Sequence, residues 1–388
     1  MPHGKPAIRP APDEPGTAGR RAAAHAGPKL RAGADSLMPV RARDTDWEGV
    51  RLHVVTGMGG TGKTTVAGAL ALALASSGGR VLLMEVEGRQ GIAQLFDSPP
   101  LPYSERKVAV APGTPGRPGG EVHALAADAE SALIEYLEMM YSLRHAGRTL
   151  TRLGVVDFAT TIAPGLRDVL LTGKAATVAR RKVAGRYQYD AVVMDAPPTG
   201  RIGRFLNVAT EVSGLAKMGP IRGHADTVQS VIRSPQTAVH FVTVLEEMPV
   251  QETLDGIAEL RSLGGDGYGL GDGGFQLGGI VINMVRPAEL TGKQLTDAAA
   301  GRLDGHDIAM GLKAAGIEDS NDPGGAGLAG SLLAELADHA REVLAQQEQR
   351  QRLTAVSLPR YELPMIADGM DLAGLYRLAT ALQDQGAA

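Results

Sequence analysis

Short apolar runs alternate with longer amphipathic stretches along most of the chain, from Leu52 onward. Six of the runs have the length and the β-branched content of buried strands. They lie at 52–56, 81–86, 191–194, 239–245, 279–283 and 361–364. Because helical patterns separate successive strands, this order predicts an α/β fold: a doubly wound, mostly parallel sheet.

Two stretches between these strands are helical in pattern but too long to be simple crossovers. In the first, apolar side chains recur every three or four residues, as a helix facing a core requires. These side chains are Leu133, Tyr136, Leu137, Met140 and Leu143. The second stretch follows Arg204 and runs to about Arg233. We expect helical insertions at about 127–185 and 205–235, forming a subdomain that caps the sheet, and glycine-rich loops at 264–279 and 319–330.

Residues 1–47 differ from the rest, since they are rich in Ala, Pro, Gly and Arg and show no hydrophobic period. We predict a disordered tail there, followed by one domain over 48–388. The first 43 residues hold eight Lys or Arg against three Asp or Glu. Such a tail is either a basic arm for acidic partners or simply solvated chain.

Composition narrows the classes of protein further. The chain has 388 residues, 44% of them hydrophobic, and a formal net charge of −4. That charge and an aromatic content of 4% argue against a nucleic-acid partner. The absence of cysteine excludes disulfides and thiolate metal sites within this sequence. The longest apolar run, 66–75, is shorter than a membrane span, so a cytoplasmic location is expected.

The segment joining the first strand to the helix that begins near Val66 fits the phosphate-binding pattern G-x-x-x-x-G-K-[ST]. It reads Gly57-Met58-Gly59-Gly60-Thr61-Gly62-Lys63-Thr64-Thr65. Glycines let backbone N–H groups turn toward a polyphosphate, and the helix N-terminus adds partial positive charge. Lys63 would reach the β- and γ-phosphates, and the Thr64 hydroxyl would hold Mg²⁺. The nine-residue segment, except Met58, is therefore predicted to bind the nucleotide.

The same glycines also fit a dinucleotide fingerprint. Gly57, Gly59 and Gly62 have the required spacing, and Glu85 lies 23 residues beyond Gly62, where an acid that binds ribose belongs. That alternative would make the chain a nicotinamide or flavin enzyme. Lys63 and the hydroxyl that follows it favour a triphosphate, because a dinucleotide site needs neither.

A second candidate site residue, Asp195, follows the strand at 191–194 and opens the run Asp195-Ala196-Pro197-Pro198-Thr199-Gly200. P-loop ATPases place the acid that holds the Mg²⁺ shell at such a strand end. Asp195 is therefore predicted to hold Mg²⁺ through water. The turn after it has a stiff start and a pivoting end, which suits a switch that senses the γ-phosphate. A capped strand end is the alternative.

In this region the chain resembles the ArsA-type ATPases, which include the arsenite-pump ATPase and the guided-entry ATPases for tail-anchored membrane proteins. Residues 194–206 are similar to the family's D-T-A-P-T-G-H-x-x-R-x-L segment. Four shorter stretches agree in order: 164–168 with P-G-x-x-E, 252–260 with E-T-x-x-x-I-x-x-L, 281–283 with V-V-N, and 363–365 with L-P-L. The resemblance spans about 51–385. It implies that Asn283 contacts adenine and that the chain is a single ATPase half.

Departures from the family pattern concern the chemistry of the site. Met58 stands where the family has a lysine that reaches the nucleotide of a dimer partner. The resemblance places Glu87 where the family has the aspartate that orients the attacking water. A ribose or structural role for Glu85 and Glu87 is the alternative. Arg89 either supplies nearby positive charge or faces solvent.

The lack of cysteine removes the arsenite-binding thiols and the zinc clamp known in the family. A single half implies dimerisation, with itself or with a related ATPase subunit. Relatives hold hydrophobic clients in the helical insertion. Met139 and Met140 lie there, so a membrane-protein partner or client is the further expectation, with core packing as the alternative.

The sequence thus predicts an ATPase with catalytic Lys63 and Glu87, which couples its nucleotide state to partner binding. Three alternatives remain open at this point. One is a nucleotide-gated module with little turnover. Another is a MinD/ParA-like positioning ATPase, which needs a C-terminal amphipathic membrane helix, for which 372–385 is the candidate, or a basic face that binds DNA. The third is the dinucleotide oxidoreductase.

Overall fold

The computed structural model describes residues 47, 49–113, 116–141, 164–207, 220–263, 274–287, 290, 292–317, 326–367 and 369–388. All of these belong to one structural unit. The disordered tail predicted for 1–47 lies outside them, apart from Trp47. The described strands are β1 (Leu52–Gly57), β2 (Arg80–Glu85), β3 (Arg106–Val110), β4 (Glu121–Ala126), β5 (Lys182–Val183), β6 (Arg186–Tyr187), β7 (Ala191–Asp195), β8 (Thr237–Thr243), β9 (Leu277–Val285) and β10 (Arg360–Pro364).

Helices connect the six strands that the sequence predicted, whereas no described helix separates β3 from β4 or β5 from β6. Those described are α1 (Lys63–Ala75), α2 (Gly91–Leu95), α3 (Ala129–Tyr141), α4 (Pro164–Arg180), α5 (Thr199–Leu206), α6 (Pro220–Ile232), α7 (Glu247–Ser262), α8 (Gly292–Ala299), α9 (Gly305–Ala314), α10 (Ala326–Arg352) and α11 (Leu372–Asp384). By the length and apolarity of a membrane span, no helix in the described part of the chain qualifies.

Eight strands form one sheet in the order β10-β9-β8-β1-β7-β2-β4-β3, and every pairing is parallel except that of β3 with β4. This confirms the predicted α/β fold with a mostly parallel sheet. Strand β1 lies between β8 and β7, and its pairing with β7 places Val55 opposite Asp195. On the other side of β7, Asp195 pairs with Glu85 of β2. The carboxyl ends of β1, β7 and β2 therefore meet at one edge of the sheet.

Side chains alternate between two cores, because successive strand residues point to opposite faces of a sheet. Val54 of β1 packs into a core with α4, α5, α6 and α7, whereas Val55 packs into a second core with α1 and α11. Both strand faces are fully buried, as expected for a parallel sheet with helices on both sides. The continuous apolar runs of the sequence follow from this arrangement.

Several elements differ from the sequence-based expectations. Strands β3 and β4 were not predicted, because the glycines and prolines between them gave the stretch the composition of a loop. The hairpin β5–β6 lies at the end of the first predicted helical insertion. Helix α10 begins at Ala326, inside the loop predicted for 319–330, since its packing against α8 and α9 outweighs the low helix propensity of its glycines. Residues 142–163 and 208–219 of the two insertions, and the side chains of Met139 and Met140, lie outside the described structure.

The C-terminal helix is part of the core. The apolar face of α11 packs against α1, and Leu375, Leu378 and Leu382 are fully buried. A membrane-binding helix needs that face free for lipid. The MinD/ParA-like alternative therefore loses its candidate membrane helix.

Two histidines lie side by side inside the sheet. His53 of β1 and His240 of β8 are each 1% exposed, and His53 Nδ1 lies 3.1 Å from His240 Nε2. One of these nitrogens must donate and the other accept, as in a pair of neutral imidazoles. Burial lowers the pKa of His53 to about 4. Burial, followed by repulsion from His53, lowers the pKa of His240 well below its ordinary value.

We expect the folded state to lose stability on acidification, from about pH 6.5 down to about pH 4. An unfolded histidine titrates near 6.5, so below that pH the unfolded chain binds protons that the buried pair does not accept, and unfolding becomes more favourable. His53 alone contributes on the order of 3 kcal/mol across the whole window. Urea unfolding at pH 7 and pH 5 measures the loss. A folded variant with both His53→Gln and His240→Gln should lose less; an equal loss would assign the acid sensitivity to other groups.

Candidate functional site

The phosphate loop runs from the end of β1 to the first residue of α1, and two of its glycines cannot carry a side chain. A Cβ on Gly57 would lie 2.4 Å from the carbonyl oxygen of Val242. Gly62 has φ +79°, and a Cβ there would lie 2.3 Å from the side-chain nitrogen of Asn283. The left-handed φ and the close approach together explain why glycine is needed at the start of α1.

Two side chains hold the loop in shape. Thr61, which is 1% exposed, donates its hydroxyl to the carbonyl oxygen of Met58 at 2.8 Å. From β9, Asn283 donates its amide nitrogen to the carbonyl oxygen of Thr61 at 2.9 Å. The structure thus gives Asn283 a bracing role that sequence reasoning missed. The contact of Asn283 with adenine stays a prediction. The side-chain amide oxygen of Asn283 is the atom that would make this contact.

Lys63, Thr64 and Asp195 meet at the end of β7. The Asp195 carboxylate is 4% exposed; its Oδ1 accepts a hydrogen bond from Lys63 Nζ, and its Oδ2 accepts one from the Thr64 hydroxyl at 2.7 Å. The pairing of β1 with β7 creates this contact, because Lys63 and Thr64 directly follow β1 and its loop. Residues 132 positions apart therefore form one constellation of an ammonium, a hydroxyl and a carboxylate.

A cavity of about 260 Å³ opens above this constellation. It is lined by Met58, Gly59, Gly60, Gly62, Lys63, Thr64, Glu85, Glu87, Arg89, Gly91, Asp195 and Pro198. Four of the predicted nucleotide ligands do not line it: Gly57, Thr61, Thr65 and Asn283. Gly57, Thr61 and Asn283 are buried, and Thr65 is half-buried on α1. The segment from Glu87 to Gly91 closes one side of the cavity, and Asp195 to Pro198 closes another.

Glu85 has a structural task in the first of these segments. It is 2% exposed, and its carboxylate accepts hydrogen bonds from the backbone nitrogens of Gln90, at 2.5 Å, and Ile92, at 3.2 Å. These contacts fix the start of α2. A dinucleotide enzyme would use such an acid for a ribose hydroxyl. The dinucleotide alternative is weakened accordingly, because the carboxylate of Glu85 is already engaged by the protein.

Glu87 lies in the same cavity as Lys63, with its side chain 16% exposed. Two arginines flank its carboxylate: Arg89 Nη2 lies 3.6 Å from Oε2, and Arg201 Nη1 lies 3.6 Å from Oε1. Arg89 thus lies at the site rather than apart from it, although its side chain is 75% exposed. Arg201 was missed by sequence reasoning, and its position just after the Pro-Pro-Thr-Gly turn was the available signal.

A third residue that sequence reasoning missed is Met284, which follows Asn283 in β9. It has φ +56°, is 45% exposed, and would contact a Cβ on Gly62 at 3.4 Å. A non-glycine residue with positive φ beside a loop of this kind marks a functional constraint worth testing. An exposed thioether at this place offers an apolar surface at the edge of the phosphate loop.

The donor set at Asp195 suits a hard cation. Thr64 and Asp195 offer oxygen atoms, which Mg²⁺ prefers, and few enough that bound water and phosphate oxygens can complete the shell. Elsewhere in the described residues, no cluster of three His, Asp or Glu side chains forms an all-protein metal site.

Comparison with known proteins gives an independent view. Residues 50–234 match the family of anion-transporting ATPases of the ArsA type. The ATPase BagA of Mycobacterium tuberculosis is 51% identical over 339 residues, which cover 87% of this chain and 94% of that protein. An arsenical pump-driving ATPase of Acidiphilium multivorum is 25% identical over 228 residues, covering 54% of this chain and 36% of that protein.

Proposed function

The chain belongs to the anion-transporting ATPase family, and we propose that it binds ATP with Mg²⁺ and hydrolyses it to ADP and phosphate. The observation that supports this most directly is the carboxylate of Asp195, which accepts hydrogen bonds from both Lys63 and Thr64 at the base of the phosphate-loop cavity. In a triphosphate site these three groups need to lie within a few ångströms of one another.

Binding would begin with an exchange of partners. The ammonium of Lys63 leaves Asp195 for the β- and γ-phosphate oxygens, and the backbone N–H groups of Gly59 to Gly62 surround the β-phosphate. Thr64 would hold Mg²⁺ directly and Asp195 would hold it through water. The ion, when bound, supplies positive charge that offsets the charge on the phosphates. Asn283 contributes its amide oxygen, and Met284 an apolar surface, to recognition of adenine.

Hydrolysis would follow by in-line attack of water on the γ-phosphorus. Glu87 accepts the proton of the water, the new P–O bond forms, and the bond from the γ-phosphorus to the bridging oxygen breaks, so that ADP leaves. Glu87 suits this role because it lines the same cavity as Lys63.

Met58 would limit the rate. It lines the cavity at the position where the family carries a cation for the partner's nucleotide. Without that charge, a homodimer lacks one stabiliser of the transferring phosphoryl group, and hydrolysis is slow unless a related subunit supplies the cation. Met58 also favours a second candidate function, a nucleotide-gated binding module with little turnover.

The output of the cycle would be conformational. Gly91 lies against Thr64, since a Cβ added to Gly91 would lie 3.3 Å from the Thr64 side chain. Thr56, at the end of β1, donates its hydroxyl to the carbonyl oxygen of Pro197 at 2.7 Å. Loss of the γ-phosphate can therefore act on both segments, 87–98 and 195–204. The second runs directly into α5, whose Gly200 nitrogen donates to Glu252 of α7 at 3.2 Å. The helical region would change its hold on a partner in response.

The partner is proposed to be a membrane protein or another hydrophobic client, held in the cytoplasm, where ATP and Mg²⁺ are supplied. The arsenical role in the name of one relative is not carried over, because the chain has no cysteine to bind arsenite as a thiolate. The functional assembly would be a homodimer or a heterodimer with a related ATPase subunit.

Phosphate release by purified protein tests the proposal, with Met58→Lys as the informative variant. We expect ATP to bind and to be hydrolysed slowly by the wild type, and Met58→Lys to raise kcat by about 10-fold, because it restores a cation at the phosphates. Met310→Lys, which adds the same charge at an exposed position on α9, should leave the rate unchanged.

Two other outcomes would favour the alternative functions. Tight ATP binding with no phosphate release from either protein would favour the nucleotide-gated module. Binding of NADH but not of ATP would establish the dinucleotide alternative.

A further inference from the structure

A second cavity, of about 190 Å³, adjoins the phosphate-loop cavity and shares Glu87 and Arg89 with it. Three arginines line it, each from a different element: Arg89 from the segment after β2, Arg167 from the first turn of α4, and Arg201 from the first turn of α5. Three guanidinium groups face two carboxylates there, those of Glu87 and Asp168. The lining is therefore positive on balance.

Cations brought together from three elements repel one another unless an anion lies among them. Glu87 offsets this repulsion only in part, since its contacts with Arg89 and Arg201 are 3.6 Å long. A charge-assisted hydrogen bond would measure about 2.7–2.9 Å. Within the described residues, the guanidinium groups of Arg89 and Arg201 donate no hydrogen bond of that length to another side chain. Their N–H groups are thus available for a further acceptor.

The base of the cavity is apolar, whereas the side chains of Arg89 and Arg201 above it are 75% and 59% exposed. Leu171 and Phe205 are 2% and 1% exposed, and both belong to the core beneath. Because solvent screens exposed charges, binding of an anion depends on several guanidinium groups acting together.

We propose that this second cavity is an oxyanion site that binds a tetrahedral oxyanion such as inorganic phosphate. Guanidinium groups have the planar, forked donors that match phosphate oxygens. At about 190 Å³ the second cavity is smaller than the phosphate-loop cavity of about 260 Å³, and guanidinium groups from three elements line it, so it suits a small oxyanion. This site lies beside the phosphate loop, and its ligands Arg167 and Arg201 do not line the nucleotide cavity.

Occupancy of the site would affect Glu87. An anion that attracts Arg89 and Arg201 weakens their hold on the carboxylate, which then becomes freer to turn toward the nucleotide cavity. The anion has two sources, phosphate released from ATP and free oxyanion from solution. The site itself depends on neither the rate of hydrolysis nor the identity of the partner protein.

Calorimetric titration with inorganic phosphate tests the site, using full-length protein saturated with the slowly hydrolysed analogue ATPγS and Mg²⁺, so that the phosphate loop is occupied. ATPγS binding is measured first, and its failure would count against the proposed function rather than against this site. We expect one phosphate to bind. Arg167→Gln should weaken that binding by about 10-fold, the effect of one lost ionic hydrogen bond, and leave ATPγS affinity unchanged.

Matched variants make the titration decisive. Arg201→Gln should weaken phosphate binding to a similar extent, whereas Arg106→Gln, which removes an arginine of β3, should bind phosphate as the wild type does. Thermal unfolding checks that each variant is folded. The proposal would be overturned if the ATPγS-saturated wild type bound no phosphate, or if Arg167→Gln and Arg201→Gln both bound phosphate with wild-type affinity.

A second measurement distinguishes the two sources. After a single turnover of ATP labelled on the γ-phosphate, rapid gel filtration reports how long labelled phosphate stays with the protein. Longer retention by the wild type than by Arg167→Gln supports product phosphate as the ligand. Equal loss of label, together with the difference in titration, supports free oxyanion from solution.

Discussion

Replacing Lys63 by alanine is expected to weaken ATP binding by about 100-fold. The ammonium of Lys63 lies in the phosphate-loop cavity against Asp195, and its side chain is only 11% exposed. A hydrogen bond to a charged group contributes about 1.5–3 kcal/mol, and each 1.4 kcal/mol is a factor of 10 in affinity. Calorimetric titration with ATPγS and Mg²⁺ measures the loss. Lys293→Ala, at an exposed position on α8, is the control and should bind as the wild type does.

The same substitution also removes the buried partner of Asp195, so folding must be examined separately. Loss of one member of a buried ion pair destabilises a protein by several kcal/mol. Lys63→Met keeps much of the side-chain volume and serves as a second variant at a temperature where it remains folded. Undiminished ATP affinity in a folded Lys63 variant would refute the nucleotide site itself, and the proposed function with it.

Glu87→Gln is expected to lower the rate of phosphate release by about 10²–10⁴-fold, the usual contribution of a positioned general base, while ATP affinity changes little. Glutamine keeps the shape of the side chain but cannot accept the proton of the attacking water. Steady-state kcat and ATPγS affinity, measured on the same preparations, separate chemistry from binding. Glu348→Gln, on the exposed surface of α10, is the matched control.

A wild-type rate in Glu87→Gln would assign Glu87 the structural role that the sequence left open, as the partner of Arg89 and Arg201. Reduced ATP affinity with unchanged kcat would lead to the same conclusion. Glu85→Gln offers a useful contrast: it should disturb the start of α2 and lower stability, since the carboxylate of Glu85 accepts two backbone hydrogen bonds.

The structure and the known relatives agree on family and fold, and both could be predicted from the sequence. The apolar runs that became β1, β2 and β7 are continuous because the sheet is covered on both faces. The phosphate loop is a local motif whose glycines, lysine and threonine are adjacent in the chain. Strands β3 and β4 escaped prediction because glycine and proline gave the stretch between them the composition of a loop, although Glu121 and His123 alternate with apolar residues in β4 as in a half-buried strand.

The sequence by itself determined what depends on neighbouring residues: the strand–loop–helix of the phosphate site, the helical periods, and Asp195 at the end of a buried strand. Only the tertiary structure decided the contacts between residues far apart in the chain, because these depend on the order of the strands in the sheet and on how the helices pack on it. In the tertiary structure, Asp195 contacts Lys63 and Thr64, and Asn283 donates a hydrogen bond to the phosphate loop. Arginines from three elements line one cavity with Glu87. Local patterns determine the elements because backbone hydrogen bonds and side-chain periods are short in range. Contacts between distant residues depend on the packing of the whole chain.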